Sequence, residues 1–275
     1  MTSVLDCLHF MAHIGADNPF VSEVLDRTEI FTSHEALLLD YEERLTRREG
    51  NHWFDGSAHY IWVGERTRDL DGAHIEFIRG VENPIGIKLG PTLAGEELIR
   101  LLDIVNPNCE IGKVTLISRY GHKNVYFSIR VLKLIQVARV LPEHIEAVNS
   151  SRHARTVIFA CDPMHGNTIT TDQGIKTRHY SHIISELSQS LEIHAKMGSK
   201  LQGVHFELTG EVGVTECVGG SMELEESELS RKYESFCDPR LNYGIAFCHI
   251  ADRRAKYGCG IRYCREIKGS KRKGI

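Results

Sequence analysis

The chain contains no apolar run long enough to span a membrane, and no basic stretch near its start that leads into a long apolar region. We therefore expect neither a membrane protein nor a secreted one, and predict a cytoplasmic location. The eight cysteines are scattered through the sequence, so reduced thiols are expected rather than a disulfide framework. Cys259 and Cys264 form a C-x4-C pair without a second pair, which we interpret as incidental rather than zinc-binding.

The overall composition is that of a globular protein. The 275 residues are 41% hydrophobic with a formal net charge of -4, which is enough to bury a core and predicts one α/β domain. We assign residues 1–30 to a poorly patterned segment, 31–250 to the single α/β domain and 251–275 to a basic, disordered tail. Between residues 253 and 275, nine Lys or Arg stand against one Glu. Such a tail is found in nucleic-acid-binding or nuclear proteins, but we favour a solvated extension.

Short apolar bursts recur along the chain, separated by gaps of helix length. This alternation predicts a parallel sheet covered by helices, and leaves a barrel and an open sheet as alternatives. The predicted strands are Tyr60–Val63, Ile85–Leu89, Val114–Ser118, Thr156–Ala160, Val204–Leu208 and, less clearly, a short element near Cys237. Predicted helices span Gly95–Val105, Pro142–Asn149 and His179–Met197. An earlier helix is predicted to open at a capping box of Thr32 and Glu35, with Leu37, Leu38, Tyr41 and Leu45 on its packing face.

Three metal-binding side-chain types occur at or near the ends of predicted strands. His165 stands in the loop after the 156–160 burst, Glu207 ends the next strand, and Asp238 precedes Pro239. Parallel α/β enzymes keep their chemistry at the carboxyl ends of strands. One imidazole and two carboxylates there suit a divalent ion such as Mn, Co, Fe or Zn. The spacing fits no local metal motif, so a capping Asp and a hydrogen-bonded His remain the alternative.

Nine segments of the sequence, in order, carry a stronger signal. They are TSHEALLLDYE at 32–42, WVGERTR at 62–68, NPIGIKLGP at 83–91, LISR at 116–119, CDPMHGNT at 161–168, GIKTR at 174–178, the Glu207 strand at 203–210, TECVGG at 215–220 and CDPRLN at 237–242. Together they resemble class II 3-deoxy-D-arabino-heptulosonate 7-phosphate (DAHP) synthase, the first enzyme of the shikimate pathway to aromatic amino acids. The resemblance extends from about residue 28 to residue 242.

The resemblance implies a (β/α)8 barrel in which the predicted strands would be the third to the eighth, so the first two strands are expected to be absent. In the family, those strands carry a metal-ligating cysteine and a Lys-Pro-Arg segment that helps to hold the substrates. Cys7 lies too close to the capping box at residue 32 to be that cysteine. The block at 125–136 also departs from the family pattern, and we expect it to be a helical or irregular excursion outside the barrel wall.

The resemblance also implies a transferase that condenses phosphoenolpyruvate with erythrose 4-phosphate and releases phosphate. By the same resemblance, His165, Glu207 and Asp238 bind a divalent metal, Mn or Co ahead of Zn or Fe. The metal would act as a Lewis acid on the aldehyde oxygen of the sugar. Cys161 and Cys217 lie in family motifs near this site, and we expect them to pack as buried thiols rather than bind the metal.

The remaining implied site residues bind the two anionic substrates. The resemblance gives Glu65, Lys88 and His165 as catalytic residues, Glu65, Arg66, Lys88 and Arg119 as the phosphoenolpyruvate site, and Lys176 and Arg178 as the erythrose 4-phosphate site. Arg66, Lys88 and Arg119 stand at the ends of three successive predicted strands. We therefore expect their charges to converge with the three metal ligands on one face of the sheet.

Other functions remain open from the sequence. A catalytically weak or inactive homologue, acting as a partner subunit or regulatory remnant, is the main alternative to an active synthase. A metal hydrolase is disfavoured because no further residue suggests a base beside a metal-bound water. We expect no membrane or nucleic-acid partner and leave a homo-oligomer open.

Overall fold

The structure is a computed structural model that describes residues 30–122, 124–126 and 133–242. The predicted N-terminal segment (1–29 of its 30 residues), the basic tail and Cys7, Cys259 and Cys264 lie outside these residues. Within them, Cys109, Cys161, Cys217 and Cys237 are free thiols, as expected. No helix in the described part of the chain is both long and apolar enough to cross a membrane.

Strands and helices alternate through most of the described chain. The strands are β1 (Ser33–Glu35), β2 (Thr46–Glu49), β3 (His52–Asp55), β4 (Tyr60–Val63), β5 (Ile85–Leu89), β6 (Val114–Ser118), β7 (Asn124–Tyr126), β8 (Lys133–Ile135), β9 (Ile158–Cys161), β10 (Thr168–Thr170), β11 (Lys176–Arg178), β12 (Gly203–Val204), β13 (Leu208–Thr209) and β14 (Leu241–Asn242). The helices are α1 (Leu39–Leu45), α2 (Ala73–Arg79), α3 (Gly95–Val105), α4 (Gln136–Asn149) and α5 (Tyr180–Lys196).

Six parallel strands form the main sheet, in the order β1-β4-β5-β6-β9-β12. Each strand therefore pairs with the next sheet member along the chain, which is the winding of a (β/α) barrel rather than of a doubly wound sheet. Beyond β12, strand β13 pairs in parallel with β14 in a separate two-stranded sheet. In the described residues β1 and β12 each pair on one side only. The fold is thus an α/β barrel type that is incomplete over these residues, as predicted, although β1 adds one strand ahead of the six that were predicted.

The core lies between the sheet and its helices. All five residues of β5 are buried, because helices cover one face and the barrel interior covers the other. Helix α3 buries Leu98, Leu101, Leu102 and Val105, whose three- and four-residue spacing forms one face. Burying each such side chain stabilises the fold by about 1.5 to 3 kcal/mol. Gly86 permits close packing of β4 on β5, since a Cβ there would lie 2.1 Å from the Tyr60 hydroxyl.

The predicted capping box at Thr32 and Glu35 is wrong. Residues 33–35 form β1, and the following helix α1 begins only at Leu39, with no side-chain hydrogen bond at its N-cap. Backbone hydrogen bonds to β4 hold this segment extended, including Ala36 N to Trp62 O at 2.9 Å. The predicted packing face is also wrong in part, because Leu37, Leu38 and Tyr41 are exposed. Pairing with a neighbouring strand has overridden the local helix signal.

Three predicted strands have different limits from those observed. The burst at 156–160 forms β9 at Ile158–Cys161, and the predicted Val204–Leu208 strand is divided into β12 and β13. The intervening residues, His205 to Glu207, leave the regular ladder at the site described below. The short element expected near Cys237 occurs instead as β14 at Leu241–Asn242.

The predicted excursion at 125–136 lies partly outside the described residues, at 127–132. Where it is described, β7 and β8 pair with each other in an antiparallel arrangement and not with the main sheet. The described ends of the segment are therefore strands outside the main sheet, not the helical or irregular structure that was expected. Helix α4 starts at Gln136, earlier than predicted, and includes Pro142 in its interior.

Candidate functional site

The carboxyl ends of β5, β6, β9 and the β12–β13 segment bring polar side chains to one edge of the sheet. Lys88 lies in β5, Arg119 directly follows β6, and Asp162 directly follows β9. The parallel register aligns these ends, since Lys88 pairs with Ile117 and Ser118 pairs with Cys161. Sequence separations of 74 residues, as between Lys88 and Asp162, are thereby reduced to direct contact.

Asp162 is the centre of the hydrogen-bond network at this edge. Its carboxylate is fully buried and accepts hydrogen bonds from Lys88 Nζ and from the backbone amides of Met164 and His165 at 3.0 and 3.1 Å. The Nδ1 atom of His165 lies 2.7 Å from the same carboxylate. Burial alone would raise the pKa of Asp162, but His165 and Lys88 hold that pKa well below its usual range.

His165 connects this network to two further carboxylates. Its Nε2 atom lies 3.3 Å from Glu207 Oε1 and 4.0 Å from Asp238 Oδ2. Burial alone would lower the pKa of His165, but its hydrogen bonds with Asp162 and Glu207 raise it to about 9. One ligand atom each from His165, Glu207 and Asp238 lies within 4.8 Å of the others, so these residues can surround one ion.

The two carboxylates that face His165 also have cationic neighbours. Arg178 is fully buried and donates hydrogen bonds to Glu207 and to the Pro239 carbonyl, and its Nη2 atom lies 3.9 Å from Asp238. Lys176 Nζ lies 3.3 Å from Asp238 Oδ1, with its side chain 55% exposed. Both predicted aldose-phosphate residues are thus beside the predicted metal ligands, but only Lys176 has surface available to a substrate.

The predicted phosphoenolpyruvate residues are divided between two neighbouring places. Lys88 is within the Asp162 network, and Arg119 Nη2 donates to the His165 carbonyl at 3.1 Å. Arg66 follows β4 at the same edge of the sheet, but its side chain is exposed and lines a separate cavity of about 540 Å³. In the described part of the chain no hydrogen bond or ion pair joins Arg66 to the His165 cluster. The expected convergence therefore includes Lys88 and Arg119 but not the Arg66 side chain.

Glu65 is held beside that cavity. Its carboxylate accepts from Arg68 Nη2 at 3.1 Å and from Thr92 Oγ1 at 3.3 Å. It lies directly over Gly90, where an added Cβ would be 2.1 Å from Glu65 Oε1. Arg68 in turn bonds Glu97 at 3.1 Å. In this arrangement Glu65 is neutralised by Arg68 and fixed above the loop that follows β5.

Sequence reasoning assigned no role to His205 or to Asp162. The His205 ring lies 5.8 Å from the His165 ring and packs edge-on against Trp62 at 5.1 Å. Burial lowers the pKa of His205 to about 4, with the Lys88 charge acting in the same direction. Asp162, His165 and His205 form a second group with metal-ligand spacing. The two-residue spacing of His205 and Glu207 could have placed both on one face of their strand.

The two cysteines in the family motifs are buried. Cys161 Sγ lies 3.5 Å from Ser190 Oγ, and Cys217 Sγ donates to the Arg240 carbonyl at 3.4 Å. Burial raises the pKa of both thiols, that of Cys217 to about 12. In the described chain neither belongs to a group with metal-ligand spacing, which agrees with the packing role expected for them.

Comparison with known proteins supports the sequence resemblance. A family model described as the class-II DAHP synthetase family matches residues 1–249. A phospho-2-dehydro-3-deoxyheptonate aldolase from Neurospora crassa is 48% identical over 256 residues, covering 87% of this chain and 50% of the relative. A protein of the same name from Mycolicibacterium smegmatis is 43% identical over 242 residues, covering 86% of this chain and 48% of the relative. The chain thus spans about half the length of the curated relatives it matches.

One solved structure shows a weaker likeness. A truncated form of 3-deoxy-D-arabino-heptulosonate 7-phosphate synthase from Thermotoga maritima is 16% identical, with a TM-score of 0.38, over 78% of this chain and 64% of that chain. The barrel-type winding described above follows from the strand order of the present structure alone.

Proposed function

Because the chain belongs to the class-II DAHP synthetase family, we propose that it carries the metal and substrate site of a 3-deoxy-7-phosphoheptulonate synthase. This transferase joins phosphoenolpyruvate to erythrose 4-phosphate in the first step towards aromatic amino acids. The observation that carries the proposal is the approach of His165 Nε2 to Glu207 and Asp238, with Lys88 and Arg119 in contact with the same network.

The residues present fit a divalent metal ion. One nitrogen and two oxygen donors within 4.8 Å of one another suit Mn or Co, with Zn or Fe as alternatives. The hydrogen bond between His165 Nδ1 and Asp162 leaves Nε2 directed at the two carboxylates, which orients the ring for an ion. When bound, such an ion supplies Lewis-acid chemistry for the aldehyde of erythrose 4-phosphate.

The cationic side chains have separate tasks in this proposal. Lys88 and Arg119 bind the phosphate and carboxylate of phosphoenolpyruvate, whereas Arg66, whose exposed side chain lines a separate cavity, is assigned no contact with that substrate. Glu65, with its charge balanced by Arg68, orients polar groups beside it. Lys176, which is largely exposed, binds the phosphate of the aldose.

Arg178 is better suited to another task than phosphate binding. Its guanidinium is fully buried and bonded to Glu207, so it keeps this carboxylate ionised and in place next to His165. Burial would raise the pKa of Glu207, but His165 and Arg178 lower it below the usual value. The carboxylate is therefore available to a cation at neutral pH.

Metal titration tests the proposal directly. Metal-free protein is titrated with Mn²⁺ and the free ion is measured by electron paramagnetic resonance, first alone and then with phosphoenolpyruvate. His165→Ala should abolish specific binding, because it removes the nitrogen donor that faces both carboxylates. The matched control is His52→Ala, a surface histidine paired with Glu82, which should bind Mn²⁺ like the parent chain.

Phosphate release from phosphoenolpyruvate in the presence of erythrose 4-phosphate then measures turnover. Release that requires the aldose, Mn²⁺ and His165 supports an active synthase. Tight Mn²⁺ and phosphoenolpyruvate binding without phosphate release supports the inactive homologue instead. Absence of both binding and turnover in a folded parent chain contradicts the proposed site.

A further inference from the structure

Helix α5 contributes a buried carboxylate, Glu186, that faces the ends of two site strands. The residue is fully buried, and its Oε1 atom accepts hydrogen bonds from the backbone amides of Tyr120 at 2.9 Å and Gly121 at 3.1 Å. Its Oε2 atom accepts from Asn167 Nδ2 at 2.7 Å. In the described part of the chain Glu186 forms no ion pair, so three N–H groups provide its stabilisation.

The donors belong to two different loops, one following β6 and one following β9. Asn167 links these loops a second time, because its Oδ1 atom accepts from the His122 amide at 2.7 Å. Their backbones are in direct contact, and a Cβ added to Gly121 would lie 2.5 Å from the Gly166 carbonyl oxygen. Gly121 has a φ of +86°, which a residue with a side chain rarely adopts.

Each loop carries a residue of the proposed site. Arg119 immediately precedes Tyr120 and Gly121, whose backbone amides donate hydrogen bonds to Glu186. His165 lies in the same short helical turn as Asn167. The two site residues touch through Arg119 Nη2 and the His165 carbonyl at 3.1 Å. A shift of one loop relative to the other would therefore move the predicted anion-binding guanidinium away from the predicted metal ligand.

We propose that Glu186 is a positioning residue that joins the β6 and β9 loops and thereby fixes Arg119 relative to His165. The inference rests on the proposed function, since it assigns the two loops to one phosphoenolpyruvate and metal site. Glu186 itself does not reach substrate or metal, because its carboxylate is buried behind Tyr120, Gly121 and Asn167.

The chemistry of the contact requires an ionised carboxylate. The two carboxylate oxygens of Glu186 are both acceptors, so they can satisfy all three N–H donors. A glutamine at this position would direct its NH₂ group either at the two loop amides or at Asn167 Nδ2. Burial raises the pKa of Glu186 to about 7 in spite of these donors, so the ionised carboxylate is the main form only above about pH 7.

Glu186→Gln is the main test. A second variant exchanges the acid and the amide between positions 186 and 167 and so keeps the net charge. In Glu186→Gln/Asn167→Asp the glutamine NH₂ can donate to the new aspartate while its oxygen still accepts from the loop amides, and the Asn167 donation to the Pro163 carbonyl is lost. The matched control is Ser190→Ala, one helical turn further along the same buried face, where the hydroxyl contacts Cys161 and neither loop. The measurements are amide hydrogen exchange at Tyr120, Gly121 and His122, Mn²⁺ and phosphoenolpyruvate dissociation constants, and thermal unfolding.

Glu186→Gln should accelerate exchange at Tyr120 and Gly121 and raise both dissociation constants by about 10- to 100-fold, the range seen when a supporting partner of a ligand is removed. The double variant should recover part of both effects, since it restores the Glu186 contacts but not the bond from residue 167 to the Pro163 carbonyl, and Ser190→Ala should leave exchange and affinities at parent values. A lowered unfolding temperature with unchanged affinities would show a structural role only and overturn the proposal.

The exchange measurement is independent of the proposed function. If the parent chain binds neither Mn²⁺ nor phosphoenolpyruvate, the proposed function fails, and exchange at the three amides still decides whether Glu186 joins the loops. Unchanged exchange in Glu186→Gln contradicts the inference whatever the parent chain binds. If Glu186→Gln does not fold, the double variant decides, since it must then fold with slow exchange at Gly121 for the inference to stand.

Discussion

Replacing Lys88 with methionine tests how the buried ion pair at the centre of the site is stabilised. Lys88 is 5% exposed and Asp162 is 0% exposed, so neither charge is solvated. In Lys88→Met the Asp162 carboxylate keeps its hydrogen bonds with the backbone amides of Met164 and His165 and with the His165 ring, but loses its ion pair with the lysine. Removing one partner of a buried pair costs about 3 to 5 kcal/mol, and we expect a loss of unfolding free energy at the lower end of that range here, because the His165 ring, with its pKa raised to about 9, still pairs with Asp162.

A second variant separates this orphaned charge from lost packing. In Lys88→Met/Asp162→Asn both charges are gone, the asparagine oxygen can accept from the two amides, and its NH₂ can donate to His165 Nδ1. We expect a loss of about 1 to 2 kcal/mol for this double variant. Asp162→Asn alone should lower the free energy of unfolding by about 3 kcal/mol, because Lys88 is then a buried cation without its carboxylate. The Lys88 ammonium keeps its position 5.7 Å from the Trp62 ring centre, which limits the loss.

The assay is urea unfolding at pH 7 without metal, followed by circular dichroism. Lys113→Met is the control for removing a partly buried lysine, since within the described residues Lys113 donates its side-chain hydrogen bond to the Val81 carbonyl and lies outside the site. The double variant should lose at least about 3 kcal/mol less than the sum of the two single variants. Additive losses, or single losses below about 1 kcal/mol, would refute the claim that the Lys88–Asp162 ion pair is strongly coupled in the buried site.

Three further changes have defined outcomes. Burial lowers the pKa of His194 from 6.5 to about 4, so its neutral form stabilises the fold fully above pH 6.5 and progressively less as the pH falls towards 4. In urea unfolding, the advantage of the parent over His194→Phe should therefore shrink by about 2.5 kcal/mol between pH 7 and 4.5. Gly121→Ala should destabilise far more than Gly112→Ala in thermal unfolding. Gly112 has a φ of +79° but no atom within 4 Å of an added Cβ, so that control should cost about 1 to 2 kcal/mol. Glu216→Gln should cost about 2 to 3 kcal/mol and weaken Mn²⁺ binding in titration, because the buried Glu216 carboxylate accepts the amide and guanidinium bonds that hold the segment carrying Asp238. Unchanged Mn²⁺ affinity in that variant would show that Asp238 is positioned independently of Glu216.

The strands that sequence patterning placed correctly are predominantly apolar. β4, β5 and β6 occur at the predicted limits because a run such as Ile85–Leu89 can be buried on both faces only inside a covered parallel sheet. Helix α3 was equally clear, since its leucines repeat with helical spacing. In these segments the local pattern and the final environment require the same conformation.

β1 and the β12–β13 break had no such signal. Ser33–Glu35 is a polar tripeptide that becomes a strand only because β4 supplies its hydrogen-bond partners. The regular ladder is interrupted at His205–Glu207 next to His165, although the sequence alternates like a continuous strand. Both outcomes depend on neighbours that are distant along the chain.

The sequence by itself determined which groups are available to the site and in what order: an imidazole, carboxylates and cations at the ends of successive apolar strands. Motif matching also identified the family, which the comparisons confirm. Only the tertiary structure decided which of these groups meet. Arg178 is buried against Glu207, Arg66 points into a separate cavity, and Glu186 reaches an amide 66 residues away. Such contacts follow from strand register and from the packing of helices on the sheet. These bring together side chains that are far apart in the sequence, so their contacts cannot be predicted from their spacing.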